Sequence, residues 1–249
     1  MPELSSQPGR LSIPGLERWL RSPQGRYVLD WEQACVDETV ADIFGYNALQ
    51  IGLPQCDFLR TNRIPLRQTV AEQSGAAVCC EFTALPFASN SIDLIVLPHV
   101  LEFSDDPHQI LREVERVLIP EGQLLILGFN PISLWGMRRL FGRSAEFPWT
   151  GHYLSQLRVR DWLQLLGCEV ARSNYGCYLP PVDQPQWLKR WHFMEHAGRR
   201  WWQISGGVYM LRAVKRTHAM RLITPKWKQP KPGRAKALTP VAHKEHHGS

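Results

Sequence analysis

Two continuous apolar runs on either side of an amphipathic helix constrain this chain more than any other feature. Asp93–Leu97 and Gly122–Gly128 (GQLLILG) carry apolar residues without alternation, which is how a strand covered on both faces reads. Between them, Asp105 and Asp106 precede Pro107, an N-cap followed by proline in the first helical turn. Ile110, Leu111, Val114, Val117 and Leu118 then fall on one helical face, and Pro120 and Gly122 stop the run. A helix joining two fully buried strands implies a parallel sheet clothed by helices.

The flanks extend that pattern. Leu16 to Arg21 and Trp31 to Phe44 read as helices, the second with Val36, Val40 and Ile43 at helical spacing and Gly45 as its C-terminal cap. Asn47 to Gly52 is a short apolar strand. Leu53 to Ala77 is poorly patterned, with room for a helix and a strand near Leu66 to Val70, and Ala77 to Cys80 is a further strand. Beyond the central unit, Ser133 to Phe141 and Val159 to Leu166 are helical, and Cys168 to Ser173 and Gly207 to Ala213 are strands. A long insertion separates these last two strands, as expected where one antiparallel strand closes the sheet. The fold expected is α/β, a Rossmann-like doubly wound sheet, mostly parallel with one antiparallel strand.

Charge divides the chain unevenly. The net charge of +6 comes from 29 basic and 23 acidic residues. From Ala213 onward there are nine Lys/Arg and one acid, so the preceding residues hold 20 basic against 22 acidic. The organisation expected is one domain over 1–215, with N-terminal helices at 16–44, a core at 46–215 and a helical insertion at 180–206, then a disordered basic tail at 216–249. No apolar run approaches the ~18–20 residues needed to span a bilayer, and Met1 to Arg10 is not a secretory signal. Cys35, Cys56, Cys79, Cys80, Cys168 and Cys177 form no CxxC pair and read as buried reduced thiols. Together these features make a cytoplasmic location the expectation.

The most informative stretch is Glu81-Phe82-Thr83-Ala84-Leu85-Pro86-Phe87, closing on Ser91-Ile92-Asp93, then a strand, His99-Val100-Leu101-Glu102, a capped helix, Arg116-Val117-Leu118-Ile119-Pro120-Glu121-Gly122, and a strand. It resembles the type 11 branch of the class I S-adenosylmethionine-dependent methyltransferases, in particular an uncharacterised bacterial set. The close match covers about 50 residues, and looser agreement runs from 45 to 215. The resemblance implies methyl transfer from S-adenosyl-L-methionine, with the cofactor across the carboxyl ends of the central strands. It implies Glu81 as acceptor for the adenine amino group, Phe82, Leu85, Pro86 and Phe87 around an apolar adenine slot, and Glu72 on the ribose hydroxyls. It also implies Gly52 beneath the methionine portion, with His99 to Glu102 edging the transfer site. The departure lies at the first strand. Leu49-Gln50-Ile51-Gly52-Leu53-Pro54 keeps one glycine of the family's glycine-rich loop, puts Gln50 in place of a carboxylate, and puts Pro54 where a donor is lost.

The catalytic residue is unknown at this level. His99 is a candidate general base, but transfer to an already nucleophilic atom needs alignment rather than a base. His192-x-x-Glu195-His196 formally matches a zinc-protease pattern, yet no third ligand follows it, and no metal is expected. Trp187, Trp191, Met194, Gly198, Trp201 and Trp202 recur along the insertion helix with Lys189, Arg190, Arg199 and Arg200, and Ser133 to Phe141 carries Trp135, Arg138 and Arg139. These two helices read either as core packing or as an apolar mouth with a basic rim. The acceptor expected is small or hydrophobic. Two other readings stay open: a degenerate methyltransferase fold kept as a binding or scaffold module, and an RNA-associated protein using its basic tail. Contact with nucleic acid or a membrane surface would run through the tail and the Trp/Arg helices.

Overall fold

The computed structural model describes residues 16–72, 75–141, 147–181 and 193–216. Among them, seven strands form one sheet: β1 (Asn47–Ile51), β2 (Leu66–Ala71), β3 (Val78–Cys79), β4 (Ile92–Pro98), β5 (Leu118–Phe129), β6 (Cys168–Gly176) and β7 (Val208–Lys215). Their order is β3-β2-β1-β4-β5-β7-β6. All pairs are parallel except those made by β7, which runs antiparallel to both β5 and β6. The doubly wound, mostly parallel sheet with one reversed strand is what the sequence implied. The direction of connection switches between β1 and β4, so a crevice opens at the carboxyl ends of those strands.

The helices are α1 (Leu16–Arg21), α2 (Pro23–Val40), α3 (Pro107–Val117), α4 (Leu134–Phe141), α5 (Gln156–Leu165) and α6 (Phe193–Trp201), with a 3-10 turn at Gln203–Ser205. α3 and α5 cover one sheet face, burying Ile110, Val114, Val159 and Leu163 against Ile95, Leu124 and Ile126. α1 and α2 cover the other with Trp19, Val28, Val36 and Val40, beside Phe129, Trp135 and Phe147.

Three features of the N-terminal half depart from the sequence reading. α2 begins at Pro23, well before Trp31, because the Ser22 hydroxyl accepts from Gly25 N and Pro23 sits at the first helical position, where its missing N–H costs nothing. The helix also stops at Val40, so Gly45 is not its cap. Gly45 is needed because a Cβ there would lie 2.4 Å from the Asp93 Cβ. That close approach lets the Asp93 carboxylate accept from Tyr46 N and Asn47 N, pinning the start of β1 to β4. Finally, no helix joins β1 to β2. Residues 52–65 are turns, tied by the Asn62 side chain to Val40 O, Ile43 O and Ile64 N. All six cysteines are free, with Cys56, Cys168 and Cys177 buried, Cys35 and Cys80 half-buried, and Cys79 exposed rather than packed away.

Contacts divide the chain into Met1–Thr217 and His218–Ser249. The basic tail expected at 216–249 lies outside the described residues from 217 onward, as do Trp187, Trp191 and His192.

Candidate functional site

The residues singled out for a cofactor collect along one edge. Gly52 directly follows β1, Glu72 follows β2, Glu81 lies two residues past β3, and His99 follows β4. β2 and β3 pair at Ala71↔Cys79, and Cys80 N bonds to Ala71 O. Glu72 and Glu81 therefore leave adjacent strand ends. The charges of both carboxylates are felt at Cys80, whose thiol is pushed up by burial first and by Glu72, Cys79 and Glu81 after it. Glu72 is half-buried and Glu81 exposed.

The segment after Glu81 is fixed from below. Phe82 and Leu85 are core side chains, whereas Pro86 is exposed and Phe87 half-buried. Arg116 on α3 donates to Leu85 O and Phe87 O, at 2.9 and 3.0 Å, and Glu113 accepts from Leu85 N at 3.0 Å. The same two side chains pair with each other at 2.8 Å, which holds the Glu113 carboxyl below its ordinary range. The arginine of the R-V-L motif is thus a clamp on the L-P-F segment, a link between two stretches 30 residues apart that spacing alone does not reveal.

The loop after β1 is closed on itself. The buried Gln50 carboxamide donates to Gly52 O, Leu53 O and Cys56 O at 3.1, 3.0 and 2.7 Å, and accepts from Phe58 N at 3.0 Å. A carboxylate has no hydrogen to give to three carbonyls, so glutamine suits this loop and leaves no spare donor for a ligand. Gly52 has φ +87°, and its N–H is spent on Val70 O. A Cβ there would stand 2.7 Å from a Val100 methyl, so the open face that glycine creates is filled by the β4 side of the crevice.

His99 is buried between two carboxylates. Its Nδ1 lies 3.0 Å from a Glu102 oxygen and its Nε2 2.6 Å from a Glu32 oxygen on α2. The ring stacks on Phe129, with centroids 4.4 Å apart. The other Glu102 oxygen accepts from Phe129 N. Burial pushes the imidazole pKa down, but the Glu32 charge, joined by Glu102, outweighs it and raises the value to about 10. Burial raises Glu102 despite its bond to His99. The H-x-L-E motif is therefore an ion-paired staple, extended by a third member from the N-terminal helix that the sequence did not point to. Neither ring nitrogen is left to accept a proton, so the base role has no atom to carry it.

Past β5, a second set of contacts builds an apolar cavity. Asn130 donates to Ile204 O and Gly206 O at 2.7 and 2.9 Å and accepts from Ile132 N. Ser133 caps α4 by accepting from Gly136 N. Trp135 is buried and donates to Leu179 O, while Arg138 bonds Pro181 O and lies over Trp149. α6 is held by Glu195, which accepts from Tyr27 OH at 2.5 Å and from Tyr178 N at 3.1 Å. Between α4 and α6 lies a cavity of about 580 Å³, lined by Ile132, Leu134, Met137, Met194 and Trp202 among others, a size that suits a small-molecule ligand. Glu195 of the H-x-x-E-H pattern is thus structural, and no cluster of three metal-binding side chains occurs among the described residues.

Strand order and site edge together define a class I methyltransferase architecture, and the comparisons agree. The methyltransferase-domain family matches residues 56–126. An uncharacterized Mycobacterium tuberculosis protein, Rv2003c, is 30% identical over 231 residues, spanning 86% of this chain and 75% of its own length. The chain belongs to the class I S-adenosylmethionine-dependent methyltransferase family. Uncharacterized protein YafS of Escherichia coli K12 is 43% identical over 97 residues, and the match spans 39% of this chain and only 40% of that relative. The fold is shared with the methyltransferase partner of the Haloferax volcanii Trm112 activator, at a TM-score of 0.59 and 17% identity, over 84% of this chain and 99% of that one.

Proposed function

We propose that this protein transfers a methyl group from S-adenosyl-L-methionine to a hydrophobic acceptor. The observation that carries the reading is the pairing of two carboxylates, Glu72 and Glu81, at adjacent strand ends with an apolar cavity past β5 on the same edge of the sheet. The nucleoside half of the cofactor fits this edge. Glu72 would take the ribose hydroxyls, Glu81 the adenine amino group, and Pro86 and Phe87 the face of the ring, with Phe82 and Leu85 anchoring them in the core. Bound there, the cofactor supplies an electrophilic sulfonium methyl. The chain contributes alignment and exclusion of water rather than proton transfer. His99 and Glu102 shape the β4 end of the crevice as fixed structure.

The methionine half fits less well, because Gln50 and the Gly52 N–H are already committed within the fold. Each missing contact removes about 0.5–1.5 kcal/mol, so weak cofactor affinity is expected. That same loop favours a second reading, a methyltransferase fold retained as a binding module. Calorimetric titration separates them. S-adenosylhomocysteine is expected to bind in the micromolar to millimolar range, with adenosine within about tenfold of it, and Glu81→Ala is expected to weaken both. No heat at millimolar ligand would discard the enzyme reading. Unchanged affinity in Glu81→Ala would discard the adenine assignment.

A further inference from the structure

We infer that the α4/α6 face is a docking surface for an anionic lipid bilayer, and that the cavity between these helices opens onto it. α4 turns Trp135 and Gly136 inward, yet leaves Leu134, Met137, Leu140 and Phe141 in water, the last two 74% and 85% exposed. Across the cavity, Trp201, Trp202 and Ile204 are 71%, 59% and 66% exposed. The cavity wall joins the groups, since Ile132, Leu134 and Met137 line one side and Trp202 the other. Soluble proteins seldom leave so many large apolar side chains contiguous in water unless something covers them. Asn130 and Glu195 hold both walls in place through buried hydrogen bonds. The exposure is therefore a built feature of the folded state.

Charge selects the occupant. Residues 131–141 contain Arg138 and Arg139 and no acid. Among the described side chains of 193–206, Arg200 is exposed, and the one acid, Glu195, is buried against Tyr27 and Tyr178. Arg138 and Arg200 are exposed beside tryptophan, phenylalanine and leucine, while Arg139 turns back over the buried Tyr153 ring. With no exposed carboxylate in either segment, this face complements anionic headgroups over an acyl layer. No helix among the described residues is long and apolar enough to cross a membrane, so the contact is with the surface. The inference does not require methyl transfer, and its test is independent of the cofactor.

The test is co-sedimentation of the full chain with vesicles of phosphatidylcholine alone or containing 30% phosphatidylglycerol, which is ~30% anionic lipid of the kind that attracts basic segments. Binding to the anionic vesicles is expected, several-fold above the neutral ones and falling with salt. Because the Lys-rich C-terminal segment also attracts anionic lipid, the decisive variants lie in the patch. Leu140→Ser with Phe141→Ser, and separately Trp201→Ser with Ile204→Ser, are expected to cut binding about tenfold or more while the melting temperature holds, since these side chains are solvent-exposed. Unchanged binding in both double variants would overturn the inference. So would a concentration-dependent dimer that these variants dissociate in the absence of any vesicle binding.

Discussion

His99 shows how much one buried side chain can carry without taking part in chemistry. Both ring nitrogens are bonded to carboxylates, and the imidazole pKa stands at about 10 instead of 6.5. The folded value lies above the unfolded one, so the protonated staple adds stability fully present below about pH 6.5 and lost as pH rises through about 10. Thermal unfolding from pH 6.5 to 8 is expected to show a falling melting temperature, in a window below the ordinary range of the buried thiols and phenols. His99→Gln should remove most of that slope. Because it leaves two buried carboxylates facing each other, it should also cost about 3–5 kcal/mol at neutral pH, on the order of 10 °C for a domain of this size. A flat profile in the parent protein, or an unchanged slope in the variant, would contradict the ion-paired state.

At the scale of elements, one polar tie holds α6 from two sides. Glu195 reaches Tyr27 on α2 and the Tyr178 backbone together. Glu195→Ala strands the buried Tyr178 N–H, worth about 1–3 kcal/mol when left unmade, and takes one acceptor from the half-buried Tyr27 hydroxyl. Faster proteolysis within 193–206 is expected, with amide exchange in β4 and β5 unaltered. Equal loosening of both regions would show that α6 belongs to the central cooperative unit. The elements most legible in the sequence were those fixed by local pattern. β4, α3 and β5 were plain from continuous apolar runs and one capped helix. The start of α2 was not, because Pro23-Gln24-Gly25 reads as a break when the Ser22 cap is overlooked. The missing helix between β1 and β2 was not either, since side chains from α2, β1 and the loop itself fix those turns. The candidate site divides in the same way. That Glu72 and Glu81 leave strand ends was legible from the spacing and the family resemblance, but the Glu32 partner of His99 comes from 67 residues away. Gln50 was visible as an oddity in sequence, and only its four partners explain it.

For the whole molecule, the remaining question is whether the basic C-terminal segment contributes to folding or to binding. Every buried apolar side chain among the described residues falls between Leu16 and Ala213, and contacts divide the chain after Thr217. The residues beyond carry seven Lys/Arg against one acid and few large apolar groups, a composition that cannot repay the entropy of ordering through burial. We therefore propose that the segment is a separable extension. A chain ended after Thr217 is expected to melt within about 1–2 °C of the full-length protein, less than the ~2–4 °C that 1 kcal/mol is worth in a domain of this size. A loss of many degrees would mean that the segment is part of the folded unit. If its charge serves RNA, full-length protein should bind a single-stranded oligonucleotide with an affinity falling steeply between about 50 and 200 mM salt, as counterion release requires. The shortened chain should lose that binding, because the body without the segment carries 22 basic and 22 acidic residues and so no net charge to draw a phosphate backbone. Salt-sensitive RNA binding that survives the truncation would instead locate the contact on the folded body.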